Sequence, residues 1–256
     1  MTGALLEVAA NSVASALAAE AGGAARVELC SALEVGGLTP SYATIATTLE
    51  RLHIPVHVLI RPRAGDFVFD DLECEVMRHD IETCKALGCA GVVLGALTAD
   101  GDVDALRCRA LVEVAHGMSV TFHRAFDYTR DPFAALETVI ALGCDRLLTS
   151  GQAADALAGA PLIRDLIERS QGRITIMPGG GVTAHNIAAV AQATGARELH
   201  ASAKIRVPSR MRHAQPTLGD MLATDWQTDT AEVRARVDAL RTLASSAHPP
   251  DRNPSR

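Results

Sequence analysis

Short apolar runs recur along the chain, each followed by a longer segment in which apolar residues return every three or four positions. The short runs are Ala4–Ala9, Ala25–Cys30, Pro55–Arg61, Ala90–Gly95, Met118–His123, Asp145–Thr149, Arg173–Pro178 and Arg197–Ala201. Eight β-rich runs separated by helix-sized segments predict a parallel sheet. Leu72, Val76, Ile81, Cys84 and Leu87 carry the helical period over Leu72–Leu87, and Val233, Val237, Leu240 and Leu243 mark a last helix. Thr39-Pro40, Asp131-Pro132 and Thr183 predict helix N-termini, the first two with proline in the opening turn.

The joins repeat as well. Ala86-Leu87-Gly88-Cys89 and Ala141-Leu142-Gly143-Cys144 each lead into a strand, with looser versions at Ala19–Gly22 and Ala193–Gly195. Glycine at a helix end supplies the left-handed residue that closes it. Units of this size close a barrel more naturally than they make an open sheet, so the expected fold is an α/β (β/α)8 TIM barrel. It is expected as a single domain over residues 1–246, with a disordered tail over 247–256 that holds several prolines. A doubly wound sheet is the alternative, but its G-x-G-x-x-G after an early strand is missing.

Composition narrows the function classes. The chain of 256 residues is 48% hydrophobic and only 3% aromatic, so aliphatic side chains must build the core. A net charge of -6 disfavours nucleic acid and membrane surfaces as partners. No apolar run reaches the length of a membrane span, and Glu7 and Glu20 interrupt the alanine-rich start. The six cysteines form no C-x-x-C pair, which fits a reduced, cytoplasmic protein; homo-oligomerisation is left open.

Strand parity locates the chemistry. In an α/β barrel the outward strand face packs under helices and must be apolar, so polar residues on alternate positions face inward. That puts Glu7 inward on strand 1, Arg26, Glu28 and Cys30 on strand 2, and His57 and Arg61 on strand 3. Ser119, Thr121 and His123 follow on strand 5, and Glu198, His200 and Ser202 on strand 8. Function in such barrels sits at the C-terminal strand ends. Arg26, Arg146 and Glu198 lie low and read as a structural ion network, and His57 reads as a core histidine. Glu28, Cys30, Arg61, His123, Arg124, Ser150, His200 and Ser202 lie high, where carboxylates, arginines and imidazoles make an acid/base and anion site. A salt bridge between Glu28 and Arg61 would be the purely structural reading of that pair. Gly179, Gly180 and Gly181 follow strand 7, where backbone N–H groups can approach an anion, although a tight turn explains them equally. The basic segment Lys204–His213 is either a lid or a solvated loop.

Several segments in order give the chain a resemblance to the CutC family of copper-homeostasis proteins. They are Arg26-Val27-Glu28-Leu29-Cys30, Glu34-Val35-Gly36-Gly37-Leu38-Thr39-Pro40-Ser41 and Ile60-Arg61-Pro62-Arg63-Ala64-Gly65-Asp66-Phe67. Next come Val120–Asp127, Leu148-Thr149-Ser150-Gly151, Pro178–Val182 and Glu198–Ala203. The resemblance implies a cytoplasmic α/β barrel that handles copper, with a copper ion at the mouth. Family members often carry cysteines beside the strand-1 glutamate and the strand-8 histidine. This chain has Ala9, Ala10 and Ala201 there, which leaves Cys30, helped by His123 or His200, as the expected metal ligand. The alternative is an enzyme of lyase, isomerase or hydrolase type acting on a small anionic or phosphorylated substrate. Its expected catalytic residues are Glu7, Glu28, Arg61, His123, Arg124 and Asp127. Its expected ligand-binding residues are Arg63, Ser150, Gly179, Gly180, Gly181, His200 and Ser202.

Overall fold

A computed structural model describes residues 4–213 and 224–246. Eight strands form one parallel sheet: β1 (Leu5–Ala10), β2 (Arg26–Leu29), β3 (Val56–Leu59), β4 (Gly91–Leu94), β5 (Ser119–Phe122), β6 (Arg146–Thr149), β7 (Thr175–Pro178) and β8 (Glu198–Ala201). The order β7-β6-β5-β4-β3-β2-β1-β8 brings the two ends of the sheet together, where β7 and β8 lie side by side. Each strand falls within one of the runs expected from the sequence, give or take a residue, and the architecture is the expected (β/α)8 barrel.

Helices α1 (Val13–Ala21), α2 (Tyr42–Leu49), α3 (Asp71–Leu87), α4 (Ala105–Val114), α5 (Pro132–Ala141), α6 (Ala160–Ser170), α7 (Ile187–Thr194) and α8 (Thr230–Ser246) follow the strands in turn. Local chemistry sets their ends. Asp70 and Glu73 form a reciprocal capping box at the start of α3, and Gly88 closes it at φ +81°. Asp131 caps α5 with Pro132 in its first turn, as expected. Two helix starts differ from expectation. The cap of α2 is Ser41, whose side chain accepts from the Thr44 N–H, because Thr39 Oγ1 accepts instead from the Arg61 N–H. The turn beginning at Thr183 reaches the regular helix α7 only at Ile187.

The main core lies between the sheet and the helices, where Val8, Val27, Leu29, Val58, Val92, Phe122, Leu147 and Leu199 are fully buried. Burying each such side chain contributes about 1.5–3 kcal/mol. Inside the barrel Cys30, Leu59 and Val93 form a separate small cluster. The register sets Glu7 level with Arg26 and His200, and Glu28 level with Ala9 and His57. The basic segment after β8 is neither a free loop nor a helix. Lys204–Pro208 (β9) pairs antiparallel with Thr224–Thr228 (β10). Asn11 donates to the Trp226 carbonyl at 2.6 Å, and the Ser15 hydroxyl accepts from the Thr228 N–H, so the hairpin is tied beside α1. Residues 214–223 and the expected tail at 247–256 fall outside the described residues.

Candidate functional site

A cavity of about 840 Å³ opens at the C-terminal mouth of the barrel. Glu28, Arg61, His123, Arg124, His200 and Lys204 bring charge or titratable chemistry to its wall. The inward directions that parity gives Glu28, Arg61, His123 and His200 come together here, because short parallel strands deliver their last inward residues to one end.

From the barrel floor to the mouth runs a line of buried ionic contacts. Arg146 and Arg26 both bind Glu198, at 2.8 and 2.7 Å, and Arg26 also binds Glu7. Glu7 accepts from His200 Nδ1 at 2.8 Å, and His200 Nε2 faces Glu28 at 3.2 Å. Burial alone would raise the Glu7 pKa, but the His200 hydrogen bond and the Arg26 charge outweigh it, so Glu7 stays ionised. Burial likewise opposes a charge on His200, yet Glu28 and Glu7 on either side lift its pKa above the ordinary value. Among the described residues Glu28 has no arginine within salt-bridge distance. Burial first, then the Glu7 charge, push its carboxyl up to about 7 against the pull of His200. The floor of this chain is the structural network expected for Arg26, Arg146 and Glu198; its top is a carboxyl poised near neutrality.

The Glu28–Arg61 salt bridge does not form. Arg61 spends its guanidinium on loop carbonyls, with Nη1 donating to Val35 and Gly37 and Nη2 to Gly65. Its Nε is buried without a partner among the described residues, and its Cζ lies 5.0 Å from the centre of the Phe67 ring. Arg61 therefore clamps the loops after β2 and β3 around the mouth. Arg63 turns away from the cavity to Glu73 and Asp66, which corrects its expected anion-binding role. Asp127 is also displaced from direct chemistry. Its carboxylate accepts from Arg124 Nε at 2.8 Å, from the Ser150 N–H and hydroxyl, and from Thr149 Oγ1, so its acceptors are taken. Ser150 is fully buried beneath Arg124, whose Nη2 donates to it at 2.9 Å. Asp127 and Ser150 thus aim Arg124. Gly179 packs on Leu148 and His200 below the wall, whereas Gly180, Gly181 and Ser202 line it.

His123 is buried, and burial pushes its pKa down to about 3. Its Nδ1 accepts from the Ala125 N–H at 3.2 Å, which leaves the ring proton on Nε2. That Nε2 has no partner among the described residues. Phe67 packs over the ring at 5.0 Å between centroids. His57 is neutral too, with burial lowering its pKa to about 4, and it belongs to the interior as expected.

Cys30 touches the cavity wall but is 1% exposed, and its Sγ donates to the Ala10 carbonyl at 3.6 Å. Burial and the Glu28 charge push its pKa far above the ordinary thiol value, so it stays a neutral thiol. Cu(I) prefers a thiolate, so a metal ion at this sulfur would have to displace the thiol proton. Among the described residues the group arranged to hold a metal is Glu7, Glu28 and His200, with one ligand atom from each within 4.8 Å of the others. Sequence reasoning named Lys204 only within a basic segment that was either a lid or a solvated loop; it missed Trp226, whose ring lies 4.6 Å from Lys204 Nζ on the rim, and Arg236 of α8, which lines the wall at 6% exposure. A basic residue on the inner stripe of α8, among Val233, Val237 and Leu240, was the available signal for Arg236.

Among the described residues, no helix is long and apolar enough to cross a membrane. The CutC family model matches residues 4–205. A CutC family protein of Xanthomonas axonopodis pv. citri is 56% identical over 236 residues, covering 92% of this chain and 98% of the relative. Another, from Chromobacterium violaceum, is 52% identical over 242 residues, covering 92% and 98%. The solved CutC structure from Streptococcus agalactiae, named for copper homeostasis, aligns with a TM-score of 0.75 at 36% identity, covering 78% of this chain and 98% of that one. Phosphoribosylanthranilate isomerase from Thermotoga maritima aligns with a TM-score of 0.56 at 10% identity over 93% and 99%, which is a likeness of fold alone. With the barrel, its mouth and these relatives in agreement, the chain belongs to the CutC family.

Proposed function

We propose that the mouth of this CutC-family barrel binds a small anionic substrate and moves a proton to or from it through Glu28. The observation that carries the reading is a cavity-lining carboxyl, held near neutrality by burial, with a buried His200–Glu7 pair directly behind it. A group that titrates near the working pH exists in both protonation states, which is what general acid/base catalysis asks of it. His200 steadies the Glu28 carboxylate when it forms, and Glu7, ionised against Arg26, holds the imidazole in place. Across the mouth, the neutral His123 with its proton on Nε2 is suited to polarise a carbonyl oxygen, a division of labour that fits proton abstraction next to a carbonyl. Arg124 and Lys204 supply positive charge for the anionic end. Six unpaired cysteines support a reducing compartment such as the cytoplasm.

The test is deuterium wash-in. Small carboxylated and phosphorylated carbonyl compounds are incubated with the protein in heavy water and followed by NMR. Exchange at the carbon beside the carbonyl is expected, falling by about 10²-fold or more in Glu28→Gln. Exchange at the wild-type rate in that variant would overturn the assignment of Glu28.

Copper handling is the second reading, supported by the name of the Streptococcus agalactiae relative and by the Glu7, Glu28 and His200 cluster. These oxygen and nitrogen donors suit Cu²⁺ better than Cu(I). His200 Nε2 and Glu28 would be the ligands, and Glu7 would orient the imidazole through Nδ1. A Cu²⁺ spin-resonance signal with nitrogen coupling that His200→Gln removes would favour this reading; an unchanged signal would exclude the site.

A further inference from the structure

The loop after β7 has its carbonyls and its N–H groups facing different fates. The carbonyls of Gly180, Gly181 and Val182 are all taken, by the Ala156 N–H, by Asn186 Nδ2 and by Arg236 Nε. The flanking N–H groups are taken too, Gly179 by the Thr149 carbonyl and Thr183 by Asn186 Oδ1. Between them the N–H groups of Gly180, Gly181 and Val182 make no hydrogen bond among the described residues. Gly180 and Gly181 sit at φ +97° and +67°, and a Cβ at Gly180 would come within 3.3 Å of Arg124. Consecutive open N–H groups of this kind form an anion-binding concavity.

Two guanidinium groups flank it. Arg124 lies against Gly180; its Nε and Nη2 are held by Asp127 and Ser150, which leaves Nη1 without a partner among the described residues. Arg236 reaches Val182 from α8 with its side chain 7% exposed. Its Nη1 is bound to Glu232, and its Nη2 has no partner among the described residues. The nearby Asp155 keeps its carboxylate on the N–H groups of Leu157 and Ala158. Arg236 stands on α8, beyond the residues 4–205 matched by the family model.

We propose that the Gly180–Val182 N–H groups, Arg124 and Arg236 form a phosphate subsite, and that the ligand of this barrel is a small phosphate monoester. Three amides and two guanidinium edges offer at least five donors from several sides. A phosphate, with three terminal oxygens, uses such a set more fully than a carboxylate, which has only two. The subsite sits on the same cavity wall as Glu28, so a phosphate here leaves the rest of a small molecule free to extend across the mouth. The identity of that remainder rests on the proton-transfer reading above; the subsite itself does not.

The test is calorimetric titration of the full chain with inorganic phosphate at fixed ionic strength, with sulfate as a competitor. Saturable binding at one site is expected. Arg124→Gln and Arg236→Gln should each weaken it by about tenfold or more, while Arg78→Gln, in an exposed ion pair with Glu82 on α3, should bind as the wild type does. Circular dichroism checks folding; should the buried Arg236 variant not fold, the half-exposed Arg124 carries the test. Phosphate bound without any Glu28-dependent exchange would sink the catalytic reading and keep the subsite. No saturable binding by the wild type, or undiminished binding by a folded Arg124→Gln variant, would overturn the subsite.

Discussion

Replacing Glu28 with glutamine keeps the size of the side chain and removes its ionisation, and the consequence for stability can be worked out. In the folded chain the Glu28 carboxyl titrates at about 7 rather than at its ordinary 4.5. The folded state therefore binds that proton more tightly than the unfolded state does, by ~3 kcal/mol. A raised pKa means that the stabilisation is fully present below 4.5 and is lost as the pH climbs through 7. Between pH 5 and pH 8 the wild type should lose roughly 2–3 kcal/mol that Glu28→Gln does not lose. His200, raised first by Glu28, adds a loss of the same sign above its ordinary 6.5 in the wild type, and in Glu28→Gln only Glu7 is left to raise it. The assay is urea unfolding of both proteins at pH 5, 6, 7 and 8. Parallel profiles, with a constant difference across the range, would refute the burial-driven shift. The expected corollary is a variant more stable than the wild type at pH 8 yet inactive, a stability cost of the kind that functional residues impose.

Other outcomes follow from the same geometry. Arg26→Leu strands Glu7 and half of Glu198 in the barrel floor and should cost about 3–5 kcal/mol, read from urea midpoints; a loss below about 1 kcal/mol would show that the network is not structural. Gly95→Ala would set a Cβ 2.7 Å from His123 Nδ1, so it should destabilise by about 1–3 kcal/mol and abolish exchange by displacing the ring. An active Gly95→Ala protein would contradict the role of His123. Cys30→Ala should leave any Cu(I) uptake unchanged in a competition assay, because the native thiol is neutral and buried; loss of uptake would restore Cys30 as a ligand.

Much of this was legible in the residues, for reasons that particular positions make plain. Alternation along Arg26-Val27-Glu28-Leu29-Cys30 can be satisfied only with Val27 and Leu29 under helices, so Glu28 had to face inward, where it is found beside His200. The same rule turned Glu7 and His200 inward, and the strand register sets them level. Parity fails where the strand stops. Arg61 lies beyond the end of β3, and its partners are carbonyls of two loops whose course no local pattern encodes. Arg63 and Asp127 share that difficulty: each is drawn to groups brought near by folding, Glu73 for one and the β6 exit for the other. Ser41 displaced Thr39 as a cap because Thr39 was needed by the Arg61 backbone, a contact 22 residues apart. Arg236 was hidden because a polar residue on the inner stripe of a last helix has no meaning until the β7 loop is placed against it.

The central claim is that one carboxyl at the barrel mouth is held near neutrality by burial and backed by the His200–Glu7 pair. Carbon-13 NMR titration of the glutamate side-chain carboxyls tests it most directly, with Glu28→Gln assigning the resonance. One glutamate should titrate at about 7, and its signal should vanish in the variant. A Glu28 carboxyl that titrates near the ordinary 4.5 would contradict the account.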